Sequence, residues 1–469
     1  MTTAQALIDR ARRVGVAGAL CLFEPKAQIG DPPRLAGLDR SLDLRPNVGH
    51  RTSVWRIDEV TITYRSASTA ADDALYLATE QPAVFFDGFA SQPLPAARAL
   101  ACVAQVAATR FYEPASMIAA RIRAADPVVT AEPDRLRFES FSRCAGVHAR
   151  LDLTEDGLDV RTSAPGTTNV DFNPPVREAL AKITRRDPLR LTVGSDAVGV
   201  HTLDESIIER RVPLPERWVK GFGEVQVAVM RMAPVLELDH VAARRFLDGL
   251  PAGKSTVWVV GRDLRITRSW QPGAVCLAGT SRLRILRPLA RYATSLRAFS
   301  DPEAQDATAV AWVLGLPGGR ISVTLSPDTS RGFSGEGGML LDLVSTVPPT
   351  DSSTELPTDA AGLTWLGLQG RIGFDAADQA CFWRHLPYPE EALRAEPPRL
   401  RDARALVSEV RPDADGGWLV QSGTSAYRVQ LEPAGFRCTC PWIAKHGTAR
   451  GPCKHVLAAA IVAHDKASV

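Results

Sequence analysis

The feature that most restricts this chain lies in its last forty or so residues. There the sequence reads Cys438-x-Cys440, twelve intervening residues, then Cys453-x-His455. Three thiolates and one imidazole make the donor set of a tetrahedral structural zinc site. Cys438 and Cys440 stand two apart on a predicted strand, so they share a face. Cys453 and His455 fall at the entry to a predicted helix whose first turn takes Pro452. The apolar run 456–463 packs that helix back on the strands, which predicts a small ββα knuckle. Three other readings compete. Reduced core thiols would not pair as C-x-C and C-x-H, and the cysteines at 21, 102, 144, 276 and 381 show no such pairing. Those five read as buried free thiols. A redox pair calls for C-x-x-C before a helix. A catalytic zinc needs an open position and a nearby carboxylate, and no acid lies between Glu432 and Asp465. A closed structural site, filled by Zn2+, is the expectation. His446 and His464 flank the pattern, but the C-x-H pair makes His455 the ligand.

Short strands, then C-x-C-x(n)-C-x-H, then a helix: this order resembles the SWIM zinc finger. All four ligand positions are filled, by Cys438, Cys440, Cys453 and His455. Upstream, residues 138–153, 166–175 and 217–222 resemble the body of bacterial SWIM-containing proteins of similar length. The resemblance implies a module that binds nucleic acid or protein. Members of the bacterial group are often encoded beside MoxR-type AAA+ ATPases and von Willebrand A-type proteins. That implies, as an alternative, an adaptor or substrate-recognition subunit of such an assembly.

The rest of the chain is less explicit. Its 469 residues are 45% hydrophobic and 23% charged, the balance of a globular protein. No run approaches the roughly 20 apolar residues of a membrane span. The first eighteen residues read as an amphipathic helix, not a signal peptide, so the expected location is the cytoplasm. Strand-like alternation recurs in 136–141 and 147–153, with Asp156-Gly157 as a hairpin turn. The predicted fold class is α+β and multi-domain, a mixed body of helices and short strands. Residues 1–130 form an N-terminal α/β region and 131–240 a strand-rich α+β domain. A basic α+β domain follows at 241–350, then a small helical unit at 351–410, read as a winged helix. The zinc finger takes 411–469.

Seven of the basic residues are Lys and 48 are Arg, as in a GC-rich genome, so only clustering of Arg carries meaning. Residues 244–297 hold eleven Lys or Arg against two acids, a net of +9, with Trp258, Trp270 and Tyr292 interleaved. Such a stretch suits phosphates and stacked bases. Arg262, Arg265, Arg282 and Arg284 are its candidate contacts. The neighbouring 298–410 carries 16 acids and 8 bases, so the two segments could instead neutralise each other. Around the zinc motif, Arg437, Lys445, Arg450 and Lys454 form a second candidate surface for nucleic acid or an acidic partner.

No catalytic constellation is legible, and the expectation is a binding protein without organic cofactor, not an enzyme. Gly249-x3-Gly253-Lys254-Ser255-Thr256 is one residue short of a P-loop and runs from helix to strand. The glycine-rich 332–338 lacks a fingerprint. His148, His201, His240 and His385 stand apart from any nucleophile pattern.

Overall fold

The computed structural model describes residues 52–57, 60–71, 74–79, 84–111, 127–214, 216–261, 263–302, 304, 307–329, 332–333, 337–346, 356–357, 359–384, 386, 396–414, 416–432, 435–448 and 450–467. The amphipathic reading of residues 1–18, and Arg262, fall outside them. The fold is mixed helix and strand, as expected. Among the described residues no helix is long and apolar enough to cross a membrane.

An eight-stranded antiparallel sheet forms the centre. Its spatial order is Ala233–Asp239, Ser295–Ser300, Val310–Leu316, Gly319–Leu325, Val147–Thr154, Arg135–Phe141, Val128–Glu132 and Gly166–Asn169. A five-stranded sheet runs Ser206–Arg210, Ala197–His201, Arg190–Gly194, Val84–Ala90 and Leu158–Ser163. Helix Pro93–Ala108 packs on the central sheet, and its buried Leu100, Val103 and Val106 meet Leu136, Phe138, Ala149 and Leu151. Because side chains alternate along a strand, the opposite face of the same strands carries Arg137, Glu139, His148, Arg150, Asp152, Arg320, Ser322 and Thr324.

Alternation of this kind suggests strands with one wet face. Here the polar face is also buried. Helix Glu216–Met230 and the hairpin of Ile372–Asp375 with Ala380–Trp383 lie over it. The charges are matched across the contact. Asp375 lies 2.7 Å from Arg150 Nη2 and accepts from Arg320 at 2.8 Å. Arg137 and Arg150 both donate to Asp152, at 2.6 and 3.1 Å. Arg384 donates to Glu139 at 2.6 Å. The Arg137 guanidinium sits 3.5 Å from the Phe382 ring centroid, close enough for a cation–π contact.

Several expectations change. The proposed boundary between 131–240 and 241–350 runs through one sheet, whose strands come from both sides of it. Within 351–410 the described residues form helix Ala360–Leu368, the clamped hairpin, and helix Pro398–Arg404. The Asp156-Gly157 turn does not close a hairpin. Leu158–Ser163 leaves the central sheet and pairs with Val84–Ala90. A Cβ on Gly157 would sit 1.8 Å from the Gly318 carbonyl oxygen, so only glycine permits that crossing. The basic run 282–299 forms a turn of helix at Thr280–Leu283, a 3-10 segment at Arg284–Tyr292 containing Pro288, and then a strand.

Burial alone would raise the Asp375 carboxyl, but Arg150, Arg320 and Arg137 hold it far below the usual carboxylate range. Burial opposes Glu139 in the same way, and Arg384 and His148 overcome it. Both folded values lie below the unfolded ones of about 4. Their stabilisation is therefore fully present above about pH 5 and is lost as the pH falls toward the folded values. We predict that Asp375→Asn, which leaves buried guanidiniums without their counter-charge, lowers stability by about 3–5 kcal/mol. It should also flatten the acid limb of the stability–pH curve. Urea titrations between about pH 3 and 7 check both, and a variant as stable and as acid-sensitive as wild type would contradict them.

Candidate metal centre

The last sixty residues build a four-stranded antiparallel sheet in the order Val410–Pro412, Trp418–Ser422, Ser425–Glu432 and Gly435–Cys438. A short helix, Pro441–His446, and the terminal helix, Lys454–Ala467, follow. The terminal helix buries Val456, Leu457 and Ile461 against Val420 and Val429 of the sheet.

Each ligand is placed by a chain end or a cap. Cys438 is the last residue of its strand, paired with Val429. Cys440 is not on the strand, as the spacing suggested. It is the N-cap of the short helix, with Pro441 just inside it. Cys453 directly precedes the terminal helix, and the Leu457 amide donates to its carbonyl at 3.1 Å. His455 lies in the first turn. Gly447 and Gly451 take φ of +57° and +67°, which lets the intervening loop reverse between the two helices.

The four donor atoms lie within 4.8 Å of one another, and all four residues are buried. His455 Nδ1 faces Cys438 Sγ at 3.9 Å and Cys453 Sγ at 3.8 Å. The imidazole packs on the Tyr427 ring, centroids 4.4 Å apart. As free thiols the three cannot ionise together. Cys438 is pushed well above the usual thiol range, first by its hydrogen bond to Cys453 and then by burial. Burial also raises Cys440. Cys453 is drawn down to about 4 because Cys438 donates to it. A divalent cation removes this conflict by offsetting all three thiolates at once. Cys440 and Cys453 also sit at helix starts, where backbone amides favour negative sulfur. Three sulfurs and one nitrogen in a dry pocket fit Zn2+ in a closed site.

Residues 427–464 match the family model of the SWIM zinc finger. The C-terminal unit is a SWIM zinc finger, and it binds zinc through a Cys3His set. No curated protein matches the chain. Among solved structures, the chain is similar to a proliferating cellular nuclear antigen from Entamoeba histolytica, at 9% identity and a TM-score of 0.33, over 52% of this chain and 98% of that one. It is also similar to a PCNA2–PCNA3 complex from Sulfolobus tokodaii, at 8% identity and a TM-score of 0.37, over 52% of this chain and 99% of that one.

The contacts expected from the sequence spread more widely. Arg437 is exposed and lies 3.2 Å from Glu432. Lys445 is exposed, while Arg450 and Lys454 are half-buried. Arg265 is exposed and Arg284 half-buried. Arg282 is a correction. It is buried, and it donates to the carbonyls of Ala278 and Gly146 and to Ser326. It ties loops together and cannot face a ligand. Within 244–297, Arg244 and Arg287 lie 3.7 and 3.9 Å from Asp248.

One positioning residue has no signal in the motif. Arg399 Nη1 donates to the carbonyls of Arg450 and Pro452, at 2.8 and 3.0 Å. Its guanidinium lies 4.5 Å from the Trp442 ring centroid. It therefore fixes the loop that delivers Cys453, from a helix far upstream. Elsewhere, Glu139, His148, Arg150 and Arg384 converge on an enclosed space of about 20 Å³. That is room for about one water.

We expect purified protein to hold about one zinc per chain, with an absorption spectrum fitted by three sulfurs near 2.3 Å and one nitrogen near 2.0 Å. Cys453→Ser should open the finger to protease while the central sheet survives, because so small a unit depends on its metal. An oxygen-dominated shell, or a variant as resistant as wild type, would count against a structural site. Arg399→Ala should keep the ligands but weaken zinc roughly 10-fold, as loss of outer support does. Chelator competition measures that difference.

Proposed function

We propose that the SWIM finger is a nucleic-acid-binding module and that the chain acts by binding, not by catalysis. The observation that carries this reading is the charge around the tetrad. From Arg437 to His464 the sequence has no acid, and it carries Arg437, Lys445, Arg450 and Lys454. One Zn2+ with three thiolates contributes a net of about −1, so the finger surface stays positive. Trp442 adds an aromatic ring between Arg399, Arg450 and His446. Cations beside a ring suit a phosphate backbone with a neighbouring base. The zinc is structural in this reading and holds the surface in shape.

The test is fluorescence anisotropy with labelled single-stranded and duplex DNA on zinc-loaded protein. We expect the Lys445→Ala, Arg437→Ala double variant to bind more weakly and to flatten the salt dependence by roughly 0.7–0.9 for each phosphate it no longer neutralises. Zinc removal should abolish the finger's share. No binding by wild type at micromolar protein and low salt, with capture of an acidic polypeptide instead, would assign the module to a protein partner.

A further inference from the structure

A second basic surface lies on the body, away from the metal. Helix His240–Gly249 and the 3-10 segment Arg284–Tyr292 border an open groove of about 560 Å³, lined by Arg244, Asp248, Arg284, Arg287, Pro288 and Arg291. Arg244, Arg287 and Arg291 are exposed, and Arg284 is half-buried. The two elements are anchored on their other sides. Ala243, Phe246 and Leu247 are buried on the helix, and Leu286, Leu289 and Ala290 on the 3-10 segment. Phe246 stacks on Trp312 with centroids 5.6 Å apart. The guanidiniums are thus presented from a fixed floor. The single carboxylate, Asp248, lies 3.7 Å from Arg244 Nε and 3.9 Å from Arg287 Nε, and leaves a surplus of positive charge.

We propose that this groove binds the phosphodiester backbone of a nucleic acid. Guanidinium forks match phosphate oxygens two at a time. Pro288 is the one uncharged lining residue, so no apolar pocket is offered to a base or a small organic ligand. Contacts of this kind position a polymer without reading its sequence. Of the four arginines expected from the sequence, Arg284 lines this groove; Arg282 is buried, Arg265 lies on the strand Arg265–Thr267, Arg262 is outside the described residues, and Arg244, Arg287 and Arg291 complete the set. The proposal rests on the nucleic-acid reading of the finger for the class of ligand, and adds a separate surface for it.

The experiment uses the full zinc-loaded chain and a labelled mixed-sequence DNA duplex, titrated across a range of sodium chloride. Three variants are compared with wild type: Arg287→Ala with Arg291→Ala, Arg437→Ala with Lys445→Ala, and Asp248→Asn. The groove double variant should flatten the plot of log K against log salt by about 1.8, or about 0.9 for each of two phosphates. Between 50 and 200 mM salt that is about 12-fold less loss of affinity than wild type shows. Asp248→Asn should bind more tightly than wild type. Thermal melts confirm folding, since the exposed side chains lie outside the core. A wild-type slope in the groove variant, with a flattened one in the finger variant, overturns the groove and leaves the finger reading in place. The opposite pattern upholds the groove and removes the finger. Binding of polyglutamate but not DNA, abolished in the groove variant, overturns the nucleic-acid assignment in favour of an acidic protein.

Discussion

The carboxylate of Asp375 lies where the guanidiniums of Arg150 and Arg320 meet, with Arg137 just beyond, and the middle of the molecule is arranged around that meeting. A sheet with one apolar and one charged face could have left the charged face in water. Here it is roofed by a hairpin and a helix, so every charge on it had to find a partner inside the protein. Taking such groups out of water costs several kcal/mol each unless pairing and hydrogen bonding offset it. Asp152, Asp375 and Glu139 supply that pairing, and Phe382 covers Arg137. A shift of the hairpin would part Asp375 from Arg150 and Arg320, and Arg384 from Glu139. Breaking such a buried pair costs more than forming it contributes.

The zinc tetrad solves a different problem on a smaller scale. The finger is a small unit, and its ligands come from a strand end and two helix starts. Without a cation, three crowded thiols oppose one another's ionisation. With one, the same crowding fixes the angle between sheet and terminal helix. Arg399 extends this order outward by holding the carbonyls just before Cys453.

What could be read from the sequence follows from how local each signal is. The zinc set was legible because four rare donors fall in one short stretch and their chemistry is specific. Strands such as Arg135–Phe141 were legible because alternation is a property of consecutive residues. Their surroundings were not, since nothing in residues 135–154 says that Asp375 and Asp378 return to cover them. Arg282 misled for the same reason. In sequence it belongs to a basic run, and in the fold it is turned inward to cap loop carbonyls. Asp156-Gly157 was read as a hairpin from its dipeptide, whereas the close approach to Gly318 sends the chain to another sheet. The groove beside helix His240–Gly249 needed two segments forty residues apart, joined by packing alone.

The finger's apolar core does not stop at the edge of its motif. Leu340, Leu343, Trp365, Leu400 and Ala403 pack into it beside Val456 and Leu457. Trp365 Nε1 donates to Thr346, and Arg404 donates to the Thr346 carbonyl, so that upstream segment is itself pinned in place. A copy of residues 427–464 cut out alone would arrive with one side bare. In this chain the packed unit is longer than the recognisable one: the motif carries the metal, and the helices upstream close its flank.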